Sequence, residues 1–180
     1  MKLFIGCSAS NDINAHIIND SRALIEEIAK IPGVDLVYGA YNEGLMKVCY
    51  DAFHNNHKKI IGVTPKVYEA DIDKNLLDQL YVTDTTMERF NKIYEESDAF
   101  LFLAGGIGTY AEFFNAVEEH RTAGDDKQII LYNYHYFYTP IIQELYCLKQ
   151  EHFIEQELSD CFSIEHDKES VKKMIKEMVK

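Results

Sequence analysis

The residues whose types and spacing suit chemistry lie in one stretch, LFLAGGIGTYAEFF, residues 101–114. Gly105-Gly106-Ile107-Gly108-Thr109 forms a glycine-rich turn between an apolar run and a helix-forming segment. Such a turn lets backbone N–H groups approach an anion, with the positive end of the helix behind them. Glu112 follows about one helical turn later, within reach of whatever the turn holds. An ordinary tight turn with a solvated glutamate fits the same residues, and both readings stand at this point. Ser8 and Ser10, just past another apolar run, are placed to donate hydrogen bonds to a ligand at a sheet edge. Helix capping and loop solvation account more readily for each serine taken separately.

These residues need a sheet to hold them. Residues 98–103 read as a strand buried on both faces, as in a parallel sheet. Upstream, strands are expected over residues 2–7, 34–38 and 59–63. Helices over residues 17–31 and 44–56 separate them, with Pro32-Gly33 ending the first and Gly39 opening a turn before the second. That alternation predicts an α/β, Rossmann-like three-layer fold with a mainly parallel sheet and right-handed crossovers. Residues 66–82 read as a surface excursion, with one short helix around residues 73–79. A helix over residues 85–97 is capped by Thr85 or Asp84 and carries Arg89, a position where a side chain is normally solvated or ion-paired. The helix bearing Glu112 runs to about Ala123 and is closed by Gly124-Asp125-Asp126. Beyond it the pattern predicts a strand at 128–132, an aromatic loop at 133–138, a helix from Pro140 through Leu148, an edge strand at 161–164 and a closing helix at 168–179. The aromatics of that loop, with Asn133, suit stacking on a flat base, core filling or a subunit contact. No linker or repeat divides the 180 residues, so one domain spanning residues 1–180 is expected.

Composition narrows the partners. Net charge is -12, which argues against nucleic acid or an anionic membrane as partner and leaves room for a small phosphorylated ligand at a local anion hole. Cys7, Cys49, Cys147 and Cys161 form no CxxC pair, which suits reduced thiols in a cytoplasmic protein. The seven histidines show no metal-ligand spacing, and neither HExxH nor GxSxG is present, so no metal or cofactor is expected.

Taken together, the motifs resemble the cytokinin-activating LOG proteins, also called lysine decarboxylase-like. The family pattern PGGxGTxxE is similar to Ala104 through Glu112, with alanine in place of proline. Val37-Tyr38-Gly39 ahead of Gly44-Leu45-Met46, Gly62-Val63-Thr64-Pro65, Arg89, and the set Lys127, Leu131, Asn133 and Tyr138 follow in the family's order. Two departures stand out. The glycine-rich VYGGG has become Val-Tyr-Gly39-Ala40-Tyr41, and Met87 replaces a frequent histidine beside the arginine.

The resemblance implies cleavage of the N-glycosidic bond of a nucleoside 5′-monophosphate, AMP or an N6-modified AMP, to free base and ribose 5-phosphate. Predicted strand ends and helix starts place Ser8, Gly39, Gly105, Gly106, Gly108 and Thr109 in a ligand crevice, and the phosphate suits the turn at the helix start. Glu112 would answer the oxocarbenium-like sugar by its charge, by binding ribose hydroxyls or by orienting water. Arg89 would bind the nucleotide or help the base leave, and would hold Glu112 ionised. A homodimer or higher homo-oligomer is implied too, with Phe90, Phe113 and Phe114 at the contact. No lysine lies in a recognisable cofactor-binding context, so decarboxylation is not read from these residues. Two alternatives share the layout: a nucleoside 2-deoxyribosyltransferase with Glu112 as nucleophile, and a non-catalytic nucleotide-binding sensor.

Overall fold

A computed structural model describes residues 1–179. Its centre is a seven-stranded sheet in which every pairing is parallel. The strands are β1 (Lys2–Gly6), β2 (Asp35–Tyr38), β3 (Ile60–Pro65), β4 (Gln79–Thr83), β5 (Ala99–Phe102), β6 (Gln128–Tyr132) and β7 (Ser163–Glu165). Their order is β4-β3-β2-β1-β5-β6-β7. The chain winds outward from β1 in one direction, returns, and winds outward again from β5. The β1/β5 boundary is therefore the switch point at which open α/β sheets leave a crevice.

Alternation along the central strands divides the core into two layers. Leu3, Ile5, Leu101 and Leu103 face one side. There they meet buried residues of α1 (Ala15–Ala29), α2 (Gly44–Asn55) and α7 (Lys168–Met178), such as Leu24, Phe53 and Ile175. Phe4, Phe100 and Phe102 face the other side. They meet α3 (Thr86–Glu96), α4 (Ile107–Ala123), α5 (Thr139–Gln150) and the short α6 (Leu158–Cys161) through Ile93, Phe113, Ile142 and Leu158. A strand packed by helices on both faces must be apolar throughout, which is why β5 reads as an unbroken hydrophobic run.

The sheet is wider than the sequence reading, which took residues 66–82 as an excursion outside it. That segment ends in β4, whose register on β3 runs from Ile61↔Gln79 to Pro65↔Thr83. The expected helix at residues 73–79 is only a 3₁₀ turn, Lys74–Leu76. As an edge strand with one neighbour, β4 buries none of its five residues fully, so it lacks the apolar signature of the central strands. The helix expected from residue 17 begins at Ala15, because the Asn14 side chain accepts from His16 N. Among the described residues no helix is long and apolar enough to cross a membrane, and no His/Cys/Asp/Glu cluster could hold a metal ion.

Candidate functional site

A cleft of about 410 Å³ opens along the carboxyl edge of the sheet. The chain after β1 contributes Ala9, the turn after β2 contributes Gly39 and Tyr41, and the end of β3 contributes Thr64 and Pro65. From the helices come Met46, Thr86, Arg89, Phe90, Gly108 and Glu112. A 3₁₀ segment after β3, Lys66–Asp71, adds Tyr68 and Asp71 as the far wall.

Arg89 and Glu112 meet at the centre. Helix α3 is fixed at its start by a capping box, in which Thr85 Oγ1 accepts from Glu88 N and Glu88 Oε2 accepts from Thr85 N. One residue further on, Arg89 Nε donates to the Val63 carbonyl at 3.0 Å and Nη2 donates to Glu112 Oε1 at 2.6 Å. Both side chains are nearly buried, at 11% and 6% exposure. Burial pushes the Glu112 carboxyl above its ordinary value, and the Arg89 charge and hydrogen bond pull against that. The pairing matches the sequence reading. Arg89 favours the ionised carboxylate, as expected, against a larger opposing effect of burial.

Helix α4 begins without a side-chain cap. Gly106 is the capping position, and the first helical bond runs from Tyr110 N to Gly106 O at 3.1 Å. The N–H groups of Ile107, Gly108 and Thr109 thus have no intrahelical acceptor, at the positive end of a 17-residue helix. A Cβ on Gly106 or Gly108 would meet nothing within 4 Å, so this backbone is open to a ligand. Gly105 differs: a Cβ there would overlap the Thr109 side chain, which folds back over it and is buried. The turn is braced from behind by Tyr138, whose hydroxyl donates to the Leu103 carbonyl at 2.6 Å.

The remaining candidates are placed as follows. Gly39 lines the cleft, packed so that a Cβ would lie 2.8 Å from Met46 Cε and 3.2 Å from Arg89 Nη2. Ala40 takes a left-handed backbone, φ 65°, where the LOG pattern has glycine. Ser8 is not in the cleft wall: its hydroxyl accepts from Ser10 N at 3.1 Å and its carbonyl accepts from Leu45 N, so it closes a loop, and Ala9 takes the wall position. The aromatic loop does not line the cleft either. Asn133 Oδ1 accepts from Tyr138 N at 2.7 Å, and both residues are buried. Met87 is 62% exposed and is not among the residues lining the cleft. Phe113 is buried against Phe102 and Phe162, which removes it from any subunit contact. Tyr68, Asp71 and Thr86 were not foreseen. They have no motif, and two of them lie in the segment read as an excursion.

The family model described as "Possible lysine decarboxylase" matches residues 46–175. The chain belongs to this LOG family. Among curated LOG proteins, the probable cytokinin riboside 5′-monophosphate phosphoribohydrolase LOGL2 of Oryza sativa subsp. japonica is 30% identical over 122 residues, covering 67% of this chain and 50% of that protein. The cytokinin riboside 5′-monophosphate phosphoribohydrolase of Rhodococcoides fascians is 30% identical over 121 residues, 66% of this chain and 61% of that one. The chain thus spans about half to two thirds of the length of the curated LOG relatives it matches. Among solved structures, the molybdenum cofactor carrier protein of Chlamydomonas reinhardtii superposes with a TM-score of 0.72 at 17% identity, covering 99% of this chain and 97% of that one. The molybdenum cofactor binding protein of Rippkaea orientalis gives 0.69 at 18%, covering 99% and 97%. At these identities the likeness is one of fold.

Proposed function

We propose that this LOG-family chain hydrolyses the N-glycosidic bond of a nucleoside 5′-monophosphate, AMP or an N6-modified AMP, to free base and ribose 5-phosphate. The observation that carries the reading is the buried Arg89–Glu112 pair in the wall of a cleft that also contains Gly108 of an uncapped helix start. The phosphate rests on the free N–H groups of Ile107, Gly108 and Thr109. The ribose then lies over Glu112, whose negative charge favours the cationic sugar formed as the C1′–N bond lengthens. The bonding pair leaves with the base, which takes up a proton, and water adds hydroxide to C1′. Arg89 orients the carboxylate and contributes charge toward the leaving nucleotide. The names of the curated relatives support the same reaction.

A cytoplasmic setting and a homodimer belong to the same reading. The first is supported by four free cysteines, three of them buried. The second is supported by apolar side chains left exposed on α3 and α4: Met87, Ile107 and Phe114. Light scattering at micromolar concentration tests it, and a monodisperse monomer contradicts it.

The activity is tested by incubating the protein with AMP, deoxy-AMP, adenosine and isopentenyl-adenosine monophosphate and measuring free base. Hydrolysis of the ribonucleotides with adenosine left intact supports the proposal. Turnover of unphosphorylated nucleosides only with an acceptor base points to the deoxyribosyltransferase, and AMP binding without turnover points to a sensor.

A further inference from the structure

The cleft has two chemically different ends. It runs from Gly108, after β5, across the ends of β1 and β2 to Thr64 and Pro65 on β3. Three strand spacings separate β5 from β3, roughly 14 Å. That is a span suited to an extended nucleotide, not to a phosphate alone. The near end offers N–H donors and a helix's positive pole. The far end offers the reverse: Asp71, an exposed carboxylate on the 3₁₀ segment, and Tyr68, a cleft-lining aromatic that is 55% exposed. Glu69 of the same segment is engaged by Lys74 Nζ at 2.6 Å, whereas among the described residues no ion pair involves Asp71. Pro65 and Phe90 add apolar wall on either side.

Resting on the nucleoside-monophosphate reading, we propose that Asp71 and Tyr68 form the base-recognition end of this cleft and select a base carrying an exocyclic amino group. The orientation follows from charge. A phosphate is repelled by Asp71 and drawn to the α4 start, so the base lies at the Asp71 end. A flat base stacks on the Tyr68 ring. A carboxylate has acceptors only, so it takes a hydrogen bond from an amino group and opposes the lone pairs of a carbonyl. AMP and IMP present those two groups at the same ring position. One N–H remains when an amino group bears a single substituent, so an N6-modified adenine keeps the contact.

The test is calorimetric affinity and kcat/KM for AMP and IMP, in wild type, Asp71→Asn and Tyr68→Ala. All three fold, because both side chains are exposed and pack in no core. Wild type prefers AMP by roughly 10- to 100-fold, the range for a hydrogen bond to a charged group. Asp71→Asn, able to donate as well as accept, reduces that preference to a few-fold, chiefly through KM. Tyr68→Ala weakens both nucleotides by one common factor. An AMP/IMP ratio unchanged by Asp71→Asn, or AMP affinity unchanged by Tyr68→Ala, overturns the assignment. If neither nucleotide is cleaved, the hydrolase reading fails, while the binding ratio still decides the role of Asp71.

Discussion

Two glycine-bearing turns stand on the carboxyl edge of the sheet, on either side of β1, and differ in what most of their glycines face. In the turn between β2 and α2 the space of each missing side chain is filled by protein. Gly39 accommodates Met46 and Arg89, and Gly44 lies against the backbone of Ala9 and Ser10. In the turn between β5 and α4, Gly106 and Gly108 face open space. The first turn uses glycine for close packing, and the second uses it to leave a helix start bare for a ligand. Sequence alone shows the same residue type in both, and only the neighbours separate the two uses.

The largest effect should come from the residue that Gly39 packs against. Arg89→Met leaves Glu112 buried without its partner, a loss of about 3–5 kcal/mol at neutral pH. Unfolded, Glu112 titrates at its ordinary value of 4.5, and in the fold burial raises it. Its contribution to stability is therefore full below the ordinary value and is lost as pH rises through the raised one. Removing the arginine raises the folded value further, so urea denaturation should show the penalty shrinking as pH is lowered. A penalty independent of pH contradicts a charged Glu112 as its cause.

Next comes Glu112→Gln, which keeps the shape and removes the charge. Turnover of AMP should fall by ~10²–10³, about 3–4 kcal/mol, with AMP affinity retained. Equal rates in the two proteins would take Glu112 out of the chemistry. Gly39→Val tests the packed turn. Its Cβ meets Met46 Cε at 2.8 Å, so chemical denaturation should show a loss of about 1–3 kcal/mol. The smallest change belongs to Ala40→Gly. Relief of the left-handed strain, about 1–2 kcal/mol, is offset by the lost methyl contact and a freer unfolded chain. A net shift under about 1 kcal/mol is expected from the same measurement, with AMP binding unaltered.

How far the site was legible follows from the same contrast. The β5–α4 turn and Glu112 could be read because a buried strand, a glycine run and a helix leave local signatures. Arg89 came from the resemblance, and its burial against Glu112 depends on α3 packing beside α4, which no local pattern encodes. Ser8 resembled a ligand contact because a serine after a strand serves a loop or a ligand, and here Ser10 N takes its hydroxyl. Most of the sheet was visible as apolar runs. The β4 edge was not, and the walls contributed by Tyr68 and Asp71 went with it, because a half-exposed edge strand and a 3₁₀ segment have no buried periodicity to betray them.

The measurement that bears most directly on the central claim is calorimetric titration of AMP into wild type, Gly39→Ala and Gly108→Val. If the open turn seats the phosphate, Gly108→Val should weaken AMP at least about tenfold, about 1.4 kcal/mol, while urea stability stays near wild type because its Cβ points into empty space. Gly39→Ala should instead shift urea stability by under about 1 kcal/mol, because its Cβ meets the movable tip of Met46, and it perturbs AMP only through Arg89, 3.2 Å away. AMP bound equally well by wild type and Gly108→Val would contradict the account.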